Sequence, residues 1–458
     1  MVPVLFLSFL GLAVTVSLTD WRRGWILAVV CGVLQDPARK MTPGMPLVMT
    51  SSILIVYAAI LFSAQRGLQQ ALREFNRRFS AIWSAFTLLL FLLIVAAVNG
   101  LINFGLSLWR VPALSLLVYL APVPAVLVGF RYLDKEERLV KFFRFYAVLT
   151  SVALIGSLLE YLRVESRALG MVAQVGDYIR HLPGVQIRMI SGFYRAPDIM
   201  AWHAATLTSI AIAMIIKGEL GRRTWPWMVA AGWGFFNCMI SGRRKAIYYV
   251  VVFAIVFLWG YAKRLRPAQI AAFAAAALVF AFVVHRISTN EQSSVYAKGA
   301  ATTRQEVAQR LEGGVFETFA QFGFMGAGLG IATQGAQHFL TEDRPMSWQE
   351  GGFGKLAVEL GLPGLLAALF FAFVTFRSLY RIMRHPDIPS TSQLGRVVLF
   401  GLVMANVANF IASAQTYSDP VVTLLSAFFT GCLFATATLD ERAAEVAAVE
   451  ARPALASA

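Results

Sequence analysis

Charged residues are scarce in this chain of 458 residues. Only 14% of the residues are Asp, Glu, Lys or Arg, whereas 58% are hydrophobic. A soluble domain carries about a quarter charged residues, so a soluble protein of this size is excluded. Three long stretches contain no charged residue at all, namely 79–109, 397–418 and 420–439. Because about 20 apolar residues cross a bilayer as a helix, the sequence predicts an all-α polytopic membrane protein.

Signals for redox, metal or nucleotide chemistry are also lacking. The three cysteines, Cys31, Cys238 and Cys432, stand apart in apolar segments and form neither a CxxC pair nor a disulfide framework. No group of Asp, Glu and His has metal-ligand spacing and no DxD motif occurs, so we expect no metal and no cofactor. Phe324–Gly330 contains GxGxG, but no strand precedes it, and we expect a tight, close-packed turn there instead of a nucleotide loop.

Apolar segments of membrane-spanning length recur along the whole chain. We count twelve, near residues 2–18, 45–63, 82–103, 111–130, 143–161, 199–216, 225–241, 246–262, 269–284, 353–376, 397–414 and 420–438. The first lacks a basic leader and a cleavage site, so we interpret it as a span and not as a signal peptide. The apolar segment Trp25–Leu34 is only ten residues long, and it is either a thirteenth, short span or a re-entrant piece. The side of the N-terminus therefore stays open.

The basic residues orient the later spans. The chain has 40 Lys and Arg against 25 Asp and Glu, a net charge of +15. Most of the basic residues fall in short loops, which tend to remain in the cytoplasm, so the excess indicates membrane topology and not nucleic-acid binding. The predicted cytoplasmic segments are 131–144, 217–223, 263–266, 377–384 and the tail. The opposite face then receives 163–198, the turn 241–245 and a large loop, 285–350.

These features divide the chain into four parts. Residues 1–190 hold the N-terminal transmembrane helices, and 191–365 form a core that includes the outer loop 285–350. Residues 366–440 hold the C-terminal helices, and 441–458 form a cytoplasmic tail that we expect to be disordered. Within the outer loop, the apolar spacing of 304–320 predicts an amphipathic helix on the membrane surface.

A few basic residues lie on the outer face, where short loops disfavour them. Ser241–Lys245 is a turn with three consecutive basic residues, Arg243 and Arg244 among them. These side chains either extend to lipid headgroups or bind an anion, because a guanidinium group donates two hydrogen bonds to a phosphate. Arg195 precedes a span that begins near Pro197, where an anion is favoured by the helix dipole. The alternative is an ion pair between Arg195 and Asp198.

The outer loop supplies the remaining candidates. Arg304 opens the predicted amphipathic helix, a position unfavourable to a cation unless an anion compensates. Glu350 lies at the outer end of the span near 353–376 and could act as a general base for an acceptor hydroxyl. Its alternative role is a salt bridge with Lys355 or an arginine. Asp198, Glu317 and His338 are weaker candidates.

Taken in order, these motifs resemble the O-antigen ligase and Wzy-type O-antigen or exopolysaccharide polymerase superfamily of bacterial inner-membrane glycosyltransferases. The matching pieces are Gly192–Asp198, Ser241–Ala246, Arg304, Gly326–Gly330 and Glu350–Gly364. The resemblance implies a GT-C-like fold and a metal-independent, inverting glycosyl transfer at the periplasmic face. The donor is then a polyprenyl-diphosphate-linked glycan, and the acceptor is a sugar hydroxyl. The resemblance implies that Arg244 and Arg304 bind the diphosphate, with Arg195 and Arg243 as further candidates.

The same resemblance favours one branch. The ligases carry a histidine where this chain has Glu350, so we expect a polymerase that joins lipid-linked repeat units, with Glu350 as the base or as an orienting group. An O-antigen ligase or a protein O-oligosaccharyltransferase is the alternative within the superfamily. A flippase of lipid-linked sugars is the alternative of another class, but it predicts two similar halves and the sequence contains no internal repeat. A third option is a structural subunit of an exopolysaccharide export complex. The expected partners are the glycan donor and acceptor, membrane lipid and a chain-length regulator.

Overall fold

The computed structural model describes residues 2–170, 179–182, 185–217, 224–261, 315–333, 351–384 and 390–456. Sixteen helices form the framework of this part of the chain. The first eight are α1 (Val2–Thr19), α2 (Trp21–Lys40), α3 (Ser52–Ser63), α4 (Gln65–Arg78), α5 (Ser80–Phe104), α6 (Arg110–Leu120), α7 (Pro122–Tyr132) and α8 (Glu136–Ala153). The others are α9 (Ile155–Tyr161), α10 (Pro197–Ile216), α11 (Trp225–Ile240), α12 (Arg244–Tyr261), α13 (Glu317–Phe322), α14 (Gly352–Arg384), α15 (Ser390–Ala412) and α16 (Pro420–Ala456).

One small element departs from the all-α prediction. β1 (Ile179–Leu182) and β2 (Val185–Arg188) form an antiparallel hairpin in which Ile179 lies opposite Arg188. In the described residues this hairpin is the one sheet, and it lies in the segment 163–198 that connects two spans. The architecture is therefore that of a helical polytopic membrane protein with a short extramembrane hairpin.

Nine helices or helix pairs in the described residues are long and apolar enough to cross a membrane. They coincide with nine of the twelve predicted spans. Of the other three, the segment near 45–63 is bent by 80° against α4. The segment near 225–241 is the shorter helix α11, with 16 residues, and 269–284 lies outside the described residues. The prediction of a polytopic helical protein is confirmed.

The two ends of the helix bundle are identified by ion pairs and hydrogen bonds. At one end Arg22 binds Asp134 at 3.0 Å and Lys217 binds Glu136 at 3.6 Å; we call this the Arg22 end. At the other, the Lys40 ammonium group donates to the Tyr194 carbonyl at 2.6 Å; we call this the Arg195 end, after the residue that follows Tyr194. The basic segment 131–144, which the sequence predicts to be cytoplasmic, lies at the Arg22 end.

Helix α2 connects these two ends. It has 20 residues, a length of about 30 Å, with Arg22 at its start and Lys40 at its last position. Trp25–Leu34 therefore lies in a helix that runs from one end of the bundle to the other, which favours the short-span alternative over the re-entrant one. Hydropathy did not show this because its last turns carry polar side chains that are buried by other helices, namely Gln35, Asp36, Arg39 and Lys40.

The course of α2 also determines the position of the N-terminus. α1 and α2 are separated by Asp20 alone, which caps α2 by accepting from the Arg22 and Arg23 amides at 3.0 and 3.2 Å. The helices pack so closely that a Cβ on Gly24 would lie 2.5 Å from Ser17 Oγ. α1 is thus antiparallel to α2 and begins at the Arg195 end.

Most buried hydrophobic side chains from α1 to α16 belong to one core, and two smaller clusters contain Leu329 and Ile331. In the large core Trp25 stacks on Phe428 with ring centroids 4.7 Å apart, and Tyr132 packs edge-on against the same phenyl ring at 5.2 Å. α16 also continues to Ala456 as a helix, where we expected a disordered tail from residue 441. The alanine- and glutamate-rich sequence of this segment has high helix propensity, which explains the difference.

Candidate functional site at the Arg195 end

At the Arg195 end, three long helices begin beside Arg195, the basic turn 241–245 and Asp419. α10 begins at Pro197, α12 at Arg244 and α16 at Pro420. Asp419 caps α16, because its Oδ1 accepts from the Val421 and Val422 amides at 2.8 and 3.0 Å. The N-terminus of a helix carries a partial positive charge and unpaired amide donors. Three such termini at one end make this region favourable to anions.

Arg195 is held from two sides. Its guanidinium Nη2 binds Asp419 Oδ2 at 2.7 Å, and its backbone amide donates to Asp36 Oδ2 at 3.0 Å. The Asp419 side chain is 2% exposed and that of Arg195 is 19% exposed. The alternative prediction, an ion pair between Arg195 and Asp198, is wrong, because the packing of α16 places Asp419 next to the arginine.

Asp198 instead binds two basic residues of the turn 241–245. Arg243 Nη2 lies 2.7 Å from Asp198 Oδ2, and the Lys245 ammonium group pairs with Oδ1 of the same carboxylate. The Lys245 ammonium group also donates to Ser413 Oγ at 2.8 Å and to Thr416 Oγ1 at 3.1 Å. The basic turn therefore binds α10 and the loop before α16, and these two side chains point into the protein.

The loop that carries Arg195 is fixed by α2 and α9. The Lys40 ammonium group donates to the carbonyls of Gly192 and Tyr194 at 2.8 and 2.6 Å. Glu160 Oε2 accepts from the Ser191 and Gly192 amides at 3.1 and 2.6 Å. Each charged side chain thus satisfies two backbone groups of one turn, and this turn presents the Arg195 side chain to the site.

Tyr194 packs inside this end of the bundle. Its ring stacks on the His203 ring with centroids 4.9 Å apart, and His203 Nδ1 is 2.8 Å from the Tyr146 hydroxyl. His203 is therefore a buried histidine with a hydrogen-bond partner, as the sequence suggested. Burial raises the pKa of Tyr194, so its hydroxyl stays neutral and adds no charge to the site.

We define the Arg195 cluster by the charged residues that these contacts and the basic turn bring together. They are Asp36, Lys40, Glu160, Arg195, Asp198, Arg243, Arg244, Lys245 and Asp419. Five of these are basic and four are acidic, which leaves one positive charge in addition to the three helix N-termini. Arg244 is buried at the first position of α12. Such a cluster can bind an anion through backbone amides and guanidinium groups.

The predicted site residues are only partly brought together. Arg195, Asp198, Arg243 and Arg244 lie in the Arg195 cluster. Glu317 is exposed in the first turn of α13, outside the contacts of the cluster. The other three candidates, Arg304, His338 and Glu350, lie outside the described residues.

Five members of the cluster were not predicted as site residues from the sequence, although one of them, Lys245, belongs to the basic turn that the sequence singled out. Lys40 and Asp36 belong to a polar run, Gln35–Lys40, directly after an apolar segment, which was a local signal of a polar helix end. Asp419 precedes Pro420, a pattern typical of a helix N-cap. Glu160 ends an apolar span and had no comparable signal. Their roles depend on contacts between residues far apart in the sequence.

The fold and the Arg195 cluster define a multi-pass α-helical membrane protein with a cation-rich polar cluster at one end. In the described residues, no three His, Cys, Asp or Glu side chains are grouped so that they could hold a metal ion. No protein-family model matches the sequence, and no curated protein matches it. The superfamily resemblance therefore rests on the sequence motifs alone.

Proposed function

We propose that the protein is a polymerase of polyprenyl-diphosphate-linked oligosaccharide repeat units, acting at the periplasmic face of a bacterial inner membrane. The observation that carries this proposal is the Arg195 cluster. It unites basic residues at the end of the bundle opposite the predicted cytoplasmic loops, beside three helix N-termini. A diphosphate linked to a lipid would reach this end at the membrane surface.

The proposed reaction is a single displacement at the anomeric carbon of the donor glycan. The hydroxyl of a second lipid-linked glycan attacks, its proton passes to Glu350, and the bond between the anomeric carbon and the diphosphate oxygen breaks. Negative charge then develops on the leaving diphosphate. Arg244 and Arg304 stabilise this charge, since guanidinium groups donate two hydrogen bonds to phosphate oxygens.

Carboxylates in the cluster serve this proposal by orienting the cations. Asp198 fixes Arg243, and Asp419 fixes Arg195, so that each guanidinium group is held before the substrate arrives. Fixed donors need no reorganisation when charge develops in the transition state. The side chains of Arg195 and Arg243 are 19% and 18% exposed, so part of each remains open to a ligand.

A GT-C-like architecture and the large outer loop 285–350 with its amphipathic helix belong to the same proposal.

Reconstitution of the purified protein tests the proposal. Proteoliposomes would be given lipid-linked repeat units, and glycan length and released polyprenyl diphosphate would be measured together. We expect chains of several units and an equivalent amount of released diphosphate. Translocation without chain growth would instead indicate a flippase, and transfer to lipid A-core or to protein would indicate a ligase or an O-oligosaccharyltransferase.

A matched pair of variants assigns the activity to the Arg195 cluster. Arg244→Gln removes a guanidinium group from the cluster, and Arg23→Gln removes one from the Arg22 end, where the Arg23 side chain is 82% exposed. Removal of one donor to developing charge costs about 100-fold or more in rate. We expect this loss for Arg244→Gln and an unchanged rate for Arg23→Gln. Equal rates for both variants at equal protein levels would overturn the role of Arg244.

A further inference from the structure

A segment of the outer loop is inserted between α5 and α14. It runs from Gly323 to Thr333, and most of its second half is buried, with Leu329 fully inaccessible to solvent. The Leu329 amide donates to the Ala96 carbonyl at 3.0 Å. Ala96 lies eight residues before the end of α5, about 12 Å inward along the helix. α14 begins against Phe410, close to the Ser413 that binds Lys245, so the segment enters the helix bundle from the Arg195 end; we call it the inserted segment.

The inserted segment replaces backbone bonds that α14 loses at a break. Gly361 has a φ of 66° and a ψ of −171°, which interrupts the helix. The Leu362 amide donates to the Phe324 carbonyl at 2.9 Å, and the Val358 carbonyl accepts from the Ala327 amide at 2.8 Å. In a continuous helix Leu362 would donate to Val358. Each of these groups is satisfied by the inserted segment instead.

A buried polar cluster lies beside this break. Its members are Ser115, Tyr119, Thr333, Lys355 and Glu359, which we call the Glu359 cluster. Glu359 Oε1 accepts from the Thr333 hydroxyl at 2.7 Å, and Oε2 accepts from the Tyr119 hydroxyl at 2.6 Å. Lys355 Nζ lies 3.7 Å from Oε2. The partner of Lys355 here is Glu359, one helical turn away on α14.

Thr333 contacts three of the other four members of the Glu359 cluster, and Tyr119 is joined to them through Glu359. Its hydroxyl donates to Glu359 and accepts from the Lys355 ammonium group at 3.0 Å. Ser115 Oγ lies 2.9 Å from the same oxygen, and must donate because the Thr333 proton is already used. A hydroxyl has one proton and two acceptor positions, so the hydrogen-bonding capacity of Thr333 is filled. The last residue of the inserted segment is thereby tied to α6 and α14.

The environment of Glu359 fits an anchor and not a base. Its side chain is fully buried, and both carboxylate oxygens already accept hydrogen bonds from protein groups. An ionised side chain in the membrane interior is costly unless it has a partner of opposite charge and is hydrogen-bonded. Because the Glu359 side chain has no exposure to solvent, an acceptor hydroxyl cannot reach it without displacing the groups packed around it.

We propose that Glu359 is a positioning residue, which acts through Thr333 to hold the inserted segment in the break of α14. Thr333 directly precedes residues 334–350 in the chain, and Lys355 lies in the first turn of α14, which follows them. The hydrogen bond between Thr333 and Lys355 therefore holds the two flanking elements together. Glu350 and His338 belong to the stretch 334–350 of the sequence, so under the proposed function the Glu359 cluster fixes the two elements that flank the candidate acid–base residues in the chain. The effect on catalysis rests on the proposed polymerase function; the effect on the inserted segment does not.

Hydrogen–deuterium exchange of the intact protein tests the anchor. The amides of Ala327 and Leu329 are bonded to α14 and α5, so peptides that cover 323–333 should exchange slowly in the parent protein. Thr333→Val keeps the side-chain shape but removes every hydrogen bond of the hydroxyl. We expect exchange of this peptide to accelerate about tenfold or more, because loss of hydrogen bonds to charged groups favours local opening. Peptides from α10 should exchange as in the parent.

The conservative variant supplies the control. Thr333→Ser retains the hydroxyl and should preserve slow exchange, and Glu359→Gln, which loses the ion pair with Lys355 and an accepting oxygen, should accelerate exchange without unfolding α10. If Thr333→Val and the parent exchanged the 323–333 peptide at the same rate, the anchor would be refuted. The same would hold if Thr333→Ser opened the segment as much as Thr333→Val.

Chain growth provides a second, separate readout. Under the proposed function, Thr333→Val should lower kcat about tenfold or more, since misplacement of catalytic groups has effects of this size. The KM for the lipid-linked donor should change little, because the diphosphate binds the Arg195 cluster, and Thr333→Ser should restore kcat. A rise in KM with kcat unchanged would contradict the positioning role. Failure of the parent protein to make polymer would instead refute the proposed function and leave the exchange result intact.

Discussion

Arg195 Nη2 lies 2.7 Å from Asp419 Oδ2, and Asp419 at the same time caps the N-terminus of α16 through its other oxygen. One carboxylate thus satisfies a helix end and orients a guanidinium group from a loop more than 200 residues earlier in the chain. The geometry of the candidate site is therefore coupled to the stability of the last helix. Substitutions at Asp419 separate these two roles.

Replacement of Asp419 should separate its role as the cap of α16 from its ion pair with Arg195. Asp419→Asn retains a cap acceptor but removes the charge, whereas Asp419→Ala removes both. Loss of a cap costs about 1–2 kcal/mol, so Asp419→Ala should unfold at a lower temperature than Asp419→Asn. Thermal unfolding in detergent measures this difference. Identical unfolding midpoints for the two variants would show that capping adds nothing here.

Asp198 and Arg243 should be energetically coupled. Asp198→Asn leaves Arg243 and Lys245 without their shared carboxylate, and removal of one partner of a buried ion pair is strongly destabilising. In a double-mutant cycle with Arg243→Gln, we expect a coupling free energy of about 1–3 kcal/mol. Denaturant unfolding in a fixed detergent gives the four values required. Strict additivity of the two single substitutions would contradict the coupling.

Lys40 should control the loop that presents Arg195. Lys40→Met keeps most of the side-chain volume but loses the two hydrogen bonds to the carbonyls of Gly192 and Tyr194. We expect the amides of residues 191–195 to exchange with solvent at least about tenfold faster, because a hydrogen bond from a charged donor contributes about 1.5–3 kcal/mol. Under the proposed function, the KM for the donor should also rise. As a control, Arg23→Met at the other end of α2 should leave the exchange of this loop unchanged.

Substitution of two glycines near the break of α14 tests whether the inserted segment packs closely against that helix. A Cβ on Gly326 would lie 2.6 Å from the Val358 carbonyl oxygen, whereas a Cβ on Gly323 would meet nothing within 4 Å. Both have φ near +70°, so alanine strains the backbone at either position. Gly326→Ala should therefore destabilise the protein by at least about 1 kcal/mol more than Gly323→Ala. Equal unfolding free energies for both variants would contradict the close approach of the inserted segment.

The course of α2 predicts the side of the N-terminus. Because α1 begins at the Arg195 end, a cysteine introduced at Val2 should react with a membrane-impermeant maleimide added to the periplasmic side of intact spheroplasts. A cysteine at Arg23, at the Arg22 end, should react only after the membrane is opened. The opposite pattern would reverse the orientation inferred from the basic loops.

Much of the fold could be predicted from local composition. Nine spans were located correctly because each is a continuous apolar segment, and transfer of such a segment into lipid depends on the sum of its own residues. The tight turn at Phe324–Gly330 was also predicted correctly, because closely spaced glycines indicate backbone conformations that other residues avoid. α2 was ambiguous for the converse reason: its polar last turns are buried by other helices, and hydropathy does not register partners.

The candidate site was predictable only in part. Arg195, Arg243 and Arg244 could be singled out as candidate site residues because they lie in loops where the positive-inside rule disfavours basic residues. That rule applies to each loop separately and needs no knowledge of the tertiary structure. Nothing in the sequence indicated that Arg195 would bind Asp419 instead of Asp198, or that Lys40 would hold the Arg195 loop.

The sequence by itself determined that this chain is a polytopic helical membrane protein with a few basic residues on one outer face. Only the tertiary structure decided which carboxylate meets which arginine, and that the inserted segment enters the break of α14. The physical reason is that hydropathy and turn preference are properties of neighbouring residues. Ion pairs such as Arg195 with Asp419 depend on how distant helices pack, and that packing is a property of the whole chain.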